Sequence, residues 1–166
     1  MTNVVIENNV VIENKASDLS EGQGNASESI FEANLAAMKT NGQKKPGHLG
    51  QLSPGSLAYL GDAVYELYVR TQFLFPPKRV SDYHDRVVST VRAESQAESL
   101  KLLEPYLTET EKDILRRGRN AASGCPRRLS PKVYQKATSL ETLLGYLYIN
   151  DPTRLQELLE YLNIVV

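Results

Sequence analysis

Two acidic residues stand in surroundings that suit acids poorly. Asp62 falls in the middle of Leu57-Ala58-Tyr59-Leu60-Gly61-Asp62-Ala63-Val64-Tyr65-Glu66-Leu67, whose apolar positions recur with helical spacing. On a 3.6-residue wheel Leu57, Leu60, Val64 and Leu67 share one side, and Asp62 lies opposite with Ala58, Tyr59, Tyr65, Glu66 and Val69. Both faces are largely apolar, and such a helix is buried on several sides or meets another subunit. A carboxylate there needs a partner to offset several kcal/mol of desolvation. Glu141 repeats the anomaly on the stripe of Tyr134, Ala137, Leu144, Gly145 and Tyr148.

Each of these stretches also carries a mid-helix glycine, Gly61 beside Asp62 and Gly145 one turn after Glu141. Each glycine costs about 1 kcal/mol against alanine unless the missing side chain is needed. A close crossing of the two helices accounts for both. It also brings two carboxylates together with no cation on either stripe, a setting that raises proton affinity or recruits a hard divalent cation. The competing reading is that Asp62 is solvated or paired with Arg70 or Arg154. Glu66 is open in the same way, as a third ligand or as the i,i+4 partner of Arg70. His48 and His84 have no metal-ligand spacing and receive no role.

A third feature is charge. Residues 112–136 hold eight basic residues against the single acid Asp113, in a chain whose net charge is -1. The run Arg116-Arg117-Gly118-Arg119-Asn120-Ala121-Ala122-Ser123, followed by Arg127 and Arg128, puts guanidinium groups and neutral donors on a helix end and a loop, as phosphate-backbone contact requires. Few aromatics interleave, which favours reading duplex shape over stacking on single-stranded bases. Helix-dipole complementarity explains Arg116 and Arg117 but not a run that continues to Arg128.

The elements that must position these residues are all helical; no stretch alternates as a strand bounded by hairpin turns. Ser53-Pro54 predicts a helix start, with the pattern running to about Phe75 before Pro76-Pro77. One or two helices are expected from Ser81 to Leu103, and Thr108-Glu109-Thr110-Glu111 is a capping box for a helix ending at Gly118. A loop over Asn120 to Pro131 precedes a helical stretch from Lys132 to Asn150, either continuous or broken near Ser139. A last helix, capped by Asp151, runs from Pro152 to Leu162.

The chain has 166 residues, 41% of them apolar and 23% charged, a composition suited to one soluble domain. Residues 1–50 contain seven Asn and one aromatic, Phe31, and duplicate Val4-Val5-Ile6-Glu7-Asn8 as Val10-Val11-Ile12-Glu13-Asn14. They are expected to form a flexible extension, with at most a short helix over residues 28–38, so the folded domain is expected over residues 51–166. No membrane span or secretory signal is readable, and the lone Cys125 fits a reducing compartment; the chain is read as cytoplasmic.

Leu57 to Val64 resembles the signature helix of the ribonuclease III catalytic domain, and Ser139-Leu140-Glu141-Thr142-Leu143-Leu144-Gly145-Tyr146-Leu147-Tyr148 resembles its second acidic motif. Gly61 to Arg70 together with Arg116-Arg117-Gly118-Arg119-Asn120 is similar to the short form of that family, which lacks an appended double-stranded-RNA-binding domain. The resemblance covers residues 51–162. It implies an all-α homodimer that cuts double-stranded RNA with Mg²⁺, leaving 5′-phosphate and 3′-hydroxyl ends, with precursor 23S ribosomal RNA as the typical bacterial substrate. By position it makes Asp62 and Glu141 the catalytic, metal-binding pair, and the RNA-binding set is expected to be Arg116, Arg117, Arg119, Asn120, Ser123, Arg127 and Arg128. Full-length members carry further acids seven and four residues before the signature aspartate and three before the glutamate. This chain has Gly55, Ala58 and Thr138 there, as the short form also tends to. The alternative is therefore a catalytically silent scaffold that binds structured RNA; a helical protein-interaction module is a third reading, which the basic segment disfavours. The far side of the signature helix, especially Tyr59, Tyr65 and Val69, is expected to need cover from a second subunit.

Overall fold

The computed structural model describes residues 52–162 and 164, and all regular structure among them is helical. The extension expected over residues 1–50, with its duplicated pentapeptide and short helix, lies outside the described residues. The elements are α1 (Pro54–Gln72), α2 (Val80–Val91), α3 (Ala93–Leu103), a 3₁₀ turn (Glu104–Tyr106), α4 (Glu109–Ala121), α5 (Pro131–Asn150) and α6 (Pro152–Tyr161).

Local chemistry fixes where most of these helices begin. Ser53, Ser130 and Asp151 each accept a hydrogen bond from the backbone N–H three residues on, at 3.0, 3.2 and 3.1 Å, and each is followed by a proline in the first turn. The hydroxyl or carboxylate satisfies an orphan donor, and proline has none to lose. At α4 the Thr108 hydroxyl accepts from the Glu111 N–H at 3.3 Å while the Glu111 carboxylate accepts from the Thr108 N–H at 2.8 Å, the expected capping box.

Helix α5 is the central element. Nine residues between Ala137 and Leu147 are buried on it, and α1, α3, α4 and α6 pack around it. Helix α6 is held to α4 by the buried Glu111, whose carboxylate accepts from Arg154 at 2.8 Å while Arg154 also donates to the Tyr106 carbonyl at 2.6 Å. Burial pushes the Glu111 carboxyl up, but the bonds from Arg154 and Thr108 outweigh it and hold the group below the ordinary carboxylate range.

Three expectations need correction, and one alternative is decided. Helix α1 ends at Gln72, not near Phe75. Gly118 does not end α4, which runs on to Ala121. A Cβ at Gly118 would lie 2.5 Å from the Thr142 hydroxyl and 3.1 Å from Ser139 Cα, so this glycine serves the approach of α4 to α5 rather than termination. Helix α5 is unbroken at Ser139, because that hydroxyl bonds back to the Gln135 carbonyl at 2.6 Å and leaves the backbone ladder intact. Finally, Tyr65 and Val69 need no second subunit: they are 1% and 0% exposed within one chain, and of the three residues expected to seek cover only Tyr59, at 85%, lacks it. The buried arc of α1 is centred on Leu57, Gly61, Val64 and Tyr68 and extends to Ala58, Tyr65 and Val69, which leaves Leu67 outside and Asp62 at its edge.

Candidate active site

Helices α1 and α5 cross with their backbones in contact, and the two glycines are the reason. A Cβ on Gly61 would fall on the Glu141 carbonyl oxygen and within 2.7 Å of the Gly145 nitrogen; one on Gly145 would fall on the Leu57 carbonyl oxygen. Because the obstructing atoms are backbone, no side-chain rearrangement relieves the overlap. The crossing sets Asp62 and Glu141 side by side. Both line a cavity of about 290 Å³ whose walls include Ala58, Tyr59, Ser123 and Tyr134.

Glu141 registers the charge beside it. Burial first, and the neighbouring Asp62 charge second, push the Glu141 carboxyl up to about 7. Partial burial and then the Glu66 charge also raise Asp62, which remains open to solvent on one side. The cationic partners considered from the sequence are engaged elsewhere: Arg70 pairs with Glu66, and Arg154 with Glu111 and Glu157 at 2.8 and 2.9 Å. Asp62 and Glu141 therefore form no ion pair among the described residues, and two acids share a cavity without a counter-charge. No group of three or more His, Cys, Asp or Glu gathers among the described residues, and Glu66 is bonded to Arg70 rather than turned into the cavity. His84 is exposed on α2.

The positions at which full-length family members carry additional acids, Gly55, Ala58 and Thr138, all line this same cavity. Three substitutions scattered along the sequence thus fall around one pair of carboxylates.

Gln96 was not among the residues singled out from the sequence. It is 2% exposed on α3, its Nε2 donates to the Val91 carbonyl at 3.0 Å across the α2–α3 break, and its amide lies beside Asp62 and Glu141, opposing the rise in each. Its Oε1 is buried with no hydrogen-bond partner. A signal existed: on α3 the buried residues are Gln96, Ala97, Leu100 and Leu103, so an amide occupies the first position of an otherwise apolar stripe.

The basic residues divide. Ser123 lines the carboxylate cavity, and its carbonyl accepts from the Tyr134 hydroxyl at 3.0 Å, which fastens the end of α4 to α5. Arg116 and Arg119 line a separate cavity of about 620 Å³. Arg117 and Asn120 are on other faces of α4, and Arg127 and Arg128 are exposed on the loop between α4 and α5.

Comparison with known proteins agrees with this geometry. The Ribonuclease III domain family matches residues 55–152. A mini-ribonuclease 3 of Synechocystis sp. is 59% identical over 113 residues, 68% of this chain and 79% of that protein. One of Thermosynechococcus vestitus is 55% identical over 117 residues, 70% of this chain and 76% of its own length. A crystal structure of a Fusobacterium nucleatum protein superposes with a TM-score of 0.64 at 29% identity, over 70% of this chain and 93% of that one. With its signature helix crossed against the second acidic helix, the chain belongs to the ribonuclease III family, among the mini-ribonuclease 3 proteins.

Proposed function

We propose that this chain is a Mg²⁺-dependent endoribonuclease that cuts double-stranded RNA at the cavity between Asp62 and Glu141, acting as a homodimer in the maturation of precursor 23S ribosomal RNA. Family membership makes it an endoribonuclease acting on double-stranded RNA. The observation that carries the site assignment is the shared cavity of two carboxylates that lack any cationic partner among the described residues. Such a pair fits magnesium, which is commonly held by one or two carboxylates, with water and substrate phosphate completing its shell.

In this reading Asp62 and Glu141 are the catalytic pair and supply the anionic ligands. Magnesium, when bound, polarises the phosphodiester and makes water nucleophilic at neutral pH. Glu141 must first give up the proton that its surroundings favour, so cation uptake releases a proton near neutral pH. Gln96, buried beside both carboxylates, favours their ionised forms. Ser123 and Tyr134 shape the opposite wall. Arg116, Arg117, Arg119, Asn120, Arg127 and Arg128 supply phosphate contacts along the bound duplex.

The dimer is supported by a strip of apolar residues left open along the outer side of α1 and the turn after it: Tyr59, Leu67, Leu74 and Phe75, each at least 41% exposed. A two-fold partner covering it presents two cavities to one duplex. Among the described residues no helix is long and apolar enough to cross a membrane, and the lone cysteine supports a reducing, cytoplasmic setting. The domain is taken as residues 51–166, with residues 1–50 as an extension.

The test is Asp62→Asn, assayed on long duplex RNA with magnesium. The variant is expected to fold, bind RNA and not cut, whereas wild-type turnover by it removes Asp62 from the reaction. The absence of acids at Gly55, Ala58 and Thr138 favours a second reading, a silent RNA-binding scaffold, which predicts that even the wild-type protein leaves such duplexes intact in magnesium.

A further inference from the structure

The larger cavity, of about 620 Å³, is distinct from the carboxylate site. Helix α4 contributes Lys112, Arg116 and Arg119 to it and α5 contributes Lys132 and Lys136, while Glu104 is the one acid in its lining. Its floor is apolar, made by Leu100, Leu107 and Leu115. The two cavities open on different flanks of α5. Tyr134, Thr138 and Glu141 form one stripe at i, i+4 and i+7; Lys132, Gln135, Lys136 and Ser139 form another on roughly the opposite side of the same helix. Between them α4 crosses α5 at Gly118.

Five like charges around one concavity repel one another, and internal partners relieve only part of this. Lys112 pairs with Glu109 and Arg116 with Asp113, both at exposed positions, but Arg119, Lys132 and Lys136 make no ion pair among the described residues. A low-dielectric floor beneath cations focuses the positive potential into the cleft. The cleft is therefore built to receive several anionic oxygens at once.

We propose that this cleft between α3, α4 and α5 is a second phosphate-binding site, which holds the sugar–phosphate backbone of the RNA substrate at a distance from the bond that is cut. It rests on the reading of the chain as a double-stranded-RNA nuclease and adds to it a physical division of labour. Ser123 and the carboxylates act at the cut, whereas Lys132 and Lys136, together with Arg116 and Arg119, grip RNA beyond it. RNA is favoured over a free nucleotide because the five cations are spread over two helices, from Lys112 to Arg119 on α4 and at Lys132 and Lys136 on α5, and Arg127 and Arg128 are exposed on the loop that joins those helices.

The test is the double variant K132E/K136E, with K132Q/K136Q as the milder companion, in the full chain. Both lysines are at the surface, and an unchanged far-UV spectrum and melting temperature are checked first. On long duplex RNA the charge-reversal variant is expected to raise KM at least about 10-fold and to lower the slope of log affinity against log salt by about two, with kcat unchanged. The neutral variant is expected to fall between it and the wild type. On a duplex trimmed closely around the cut site both variants are expected to match the wild type. Unchanged KM and salt slope on the long duplex overturn the proposal, as does an equal loss on both substrates. So does micromolar binding of adenosine triphosphate that the variants lose without any change on RNA, which assigns the cleft to a free nucleotide. Equilibrium binding to the same duplexes without magnesium separates this proposal from the catalytic one: a wild-type protein that never cuts refutes the nuclease reading, while the binding slopes still decide the cleft.

Discussion

Replacing Glu141 with Gln removes one charge from the carboxylate pair while keeping its shape, and the structure fixes both the sign and the size of the result. Burial and Asp62 raise the Glu141 carboxyl from 4.5 to about 7, which costs the ionised form up to about 3 kcal/mol in the metal-free folded protein. Because the folded value lies above the unfolded one, the protonated carboxyl contributes stability that is fully present below about pH 4.5 and is lost as the pH rises through about 7. The Glu141→Gln protein never loses it. Solvent on the open side of the cavity reduces the gap, so the variant is expected to exceed the wild type by roughly 1–2 kcal/mol at pH 8 in chelator and to match it near pH 4. Magnesium offsets this difference. A tenfold excess over its dissociation constant stabilises the wild type by about 1.4 kcal/mol and the variant by much less. Urea unfolding followed by circular dichroism, at both pH values and with and without magnesium, reads all four quantities. A variant no more stable than the wild type at pH 8 in chelator, or one stabilised equally by magnesium, refutes the idea that these two carboxylates strain each other in a shared cation site.

Gly61→Ala is expected to destabilise the protein by about 3 kcal/mol or more despite the better helix propensity of alanine, because the new methyl meets the Glu141 carbonyl; a melting temperature at or above wild type contradicts the backbone contact. Gln96→Leu removes the amide from beside both carboxylates, an unsatisfied buried oxygen and the bond to the Val91 carbonyl, so stability should fall by no more than about 1 kcal/mol while the magnesium requirement of cleavage rises about 10-fold; unchanged magnesium dependence leaves Gln96 no part in the site. Arg154→Ala strands the buried Glu111 and should cost about 3 kcal/mol in chemical unfolding, with the loss shrinking at low pH as Glu111 is protonated; a loss under 1 kcal/mol dismisses this pair as the tie between α4 and α6.

Local chemistry was legible where it acts over a few residues. The caps at Ser53, Thr108 and Asp151, the helical periodicity and the acids among apolar neighbours are all written in short windows, and the structure bears out the all-α fold and the crossing implied by Gly61 and Gly145. Glycine misled at Gly118, since the same missing side chain serves a helix stop or a close approach, and only the presence of Thr142 opposite distinguishes them. The wheel misplaced the cover of Tyr65 and Val69, because amphipathic periodicity gives a direction and not the number of helices stacked around it.

By itself the sequence determined which residues are anomalous, Asp62 and Glu141, since an acid among apolar neighbours stands out wherever the chain takes it; the structure leaves Asp62 exposed and partly encloses Glu141. Tertiary structure alone decided who the neighbours are. It placed Gln96 from a third helix against both carboxylates, withdrew Arg70 and Arg154 into other pairs, gathered Gly55, Ala58 and Thr138 around one cavity, and divided a continuous run of basic residues between two sides of α5. The reason is that a helix turns successive residues through large angles, so charges adjacent in sequence diverge in space, while the residues that meet at a site come from helices whose packing no local pattern encodes.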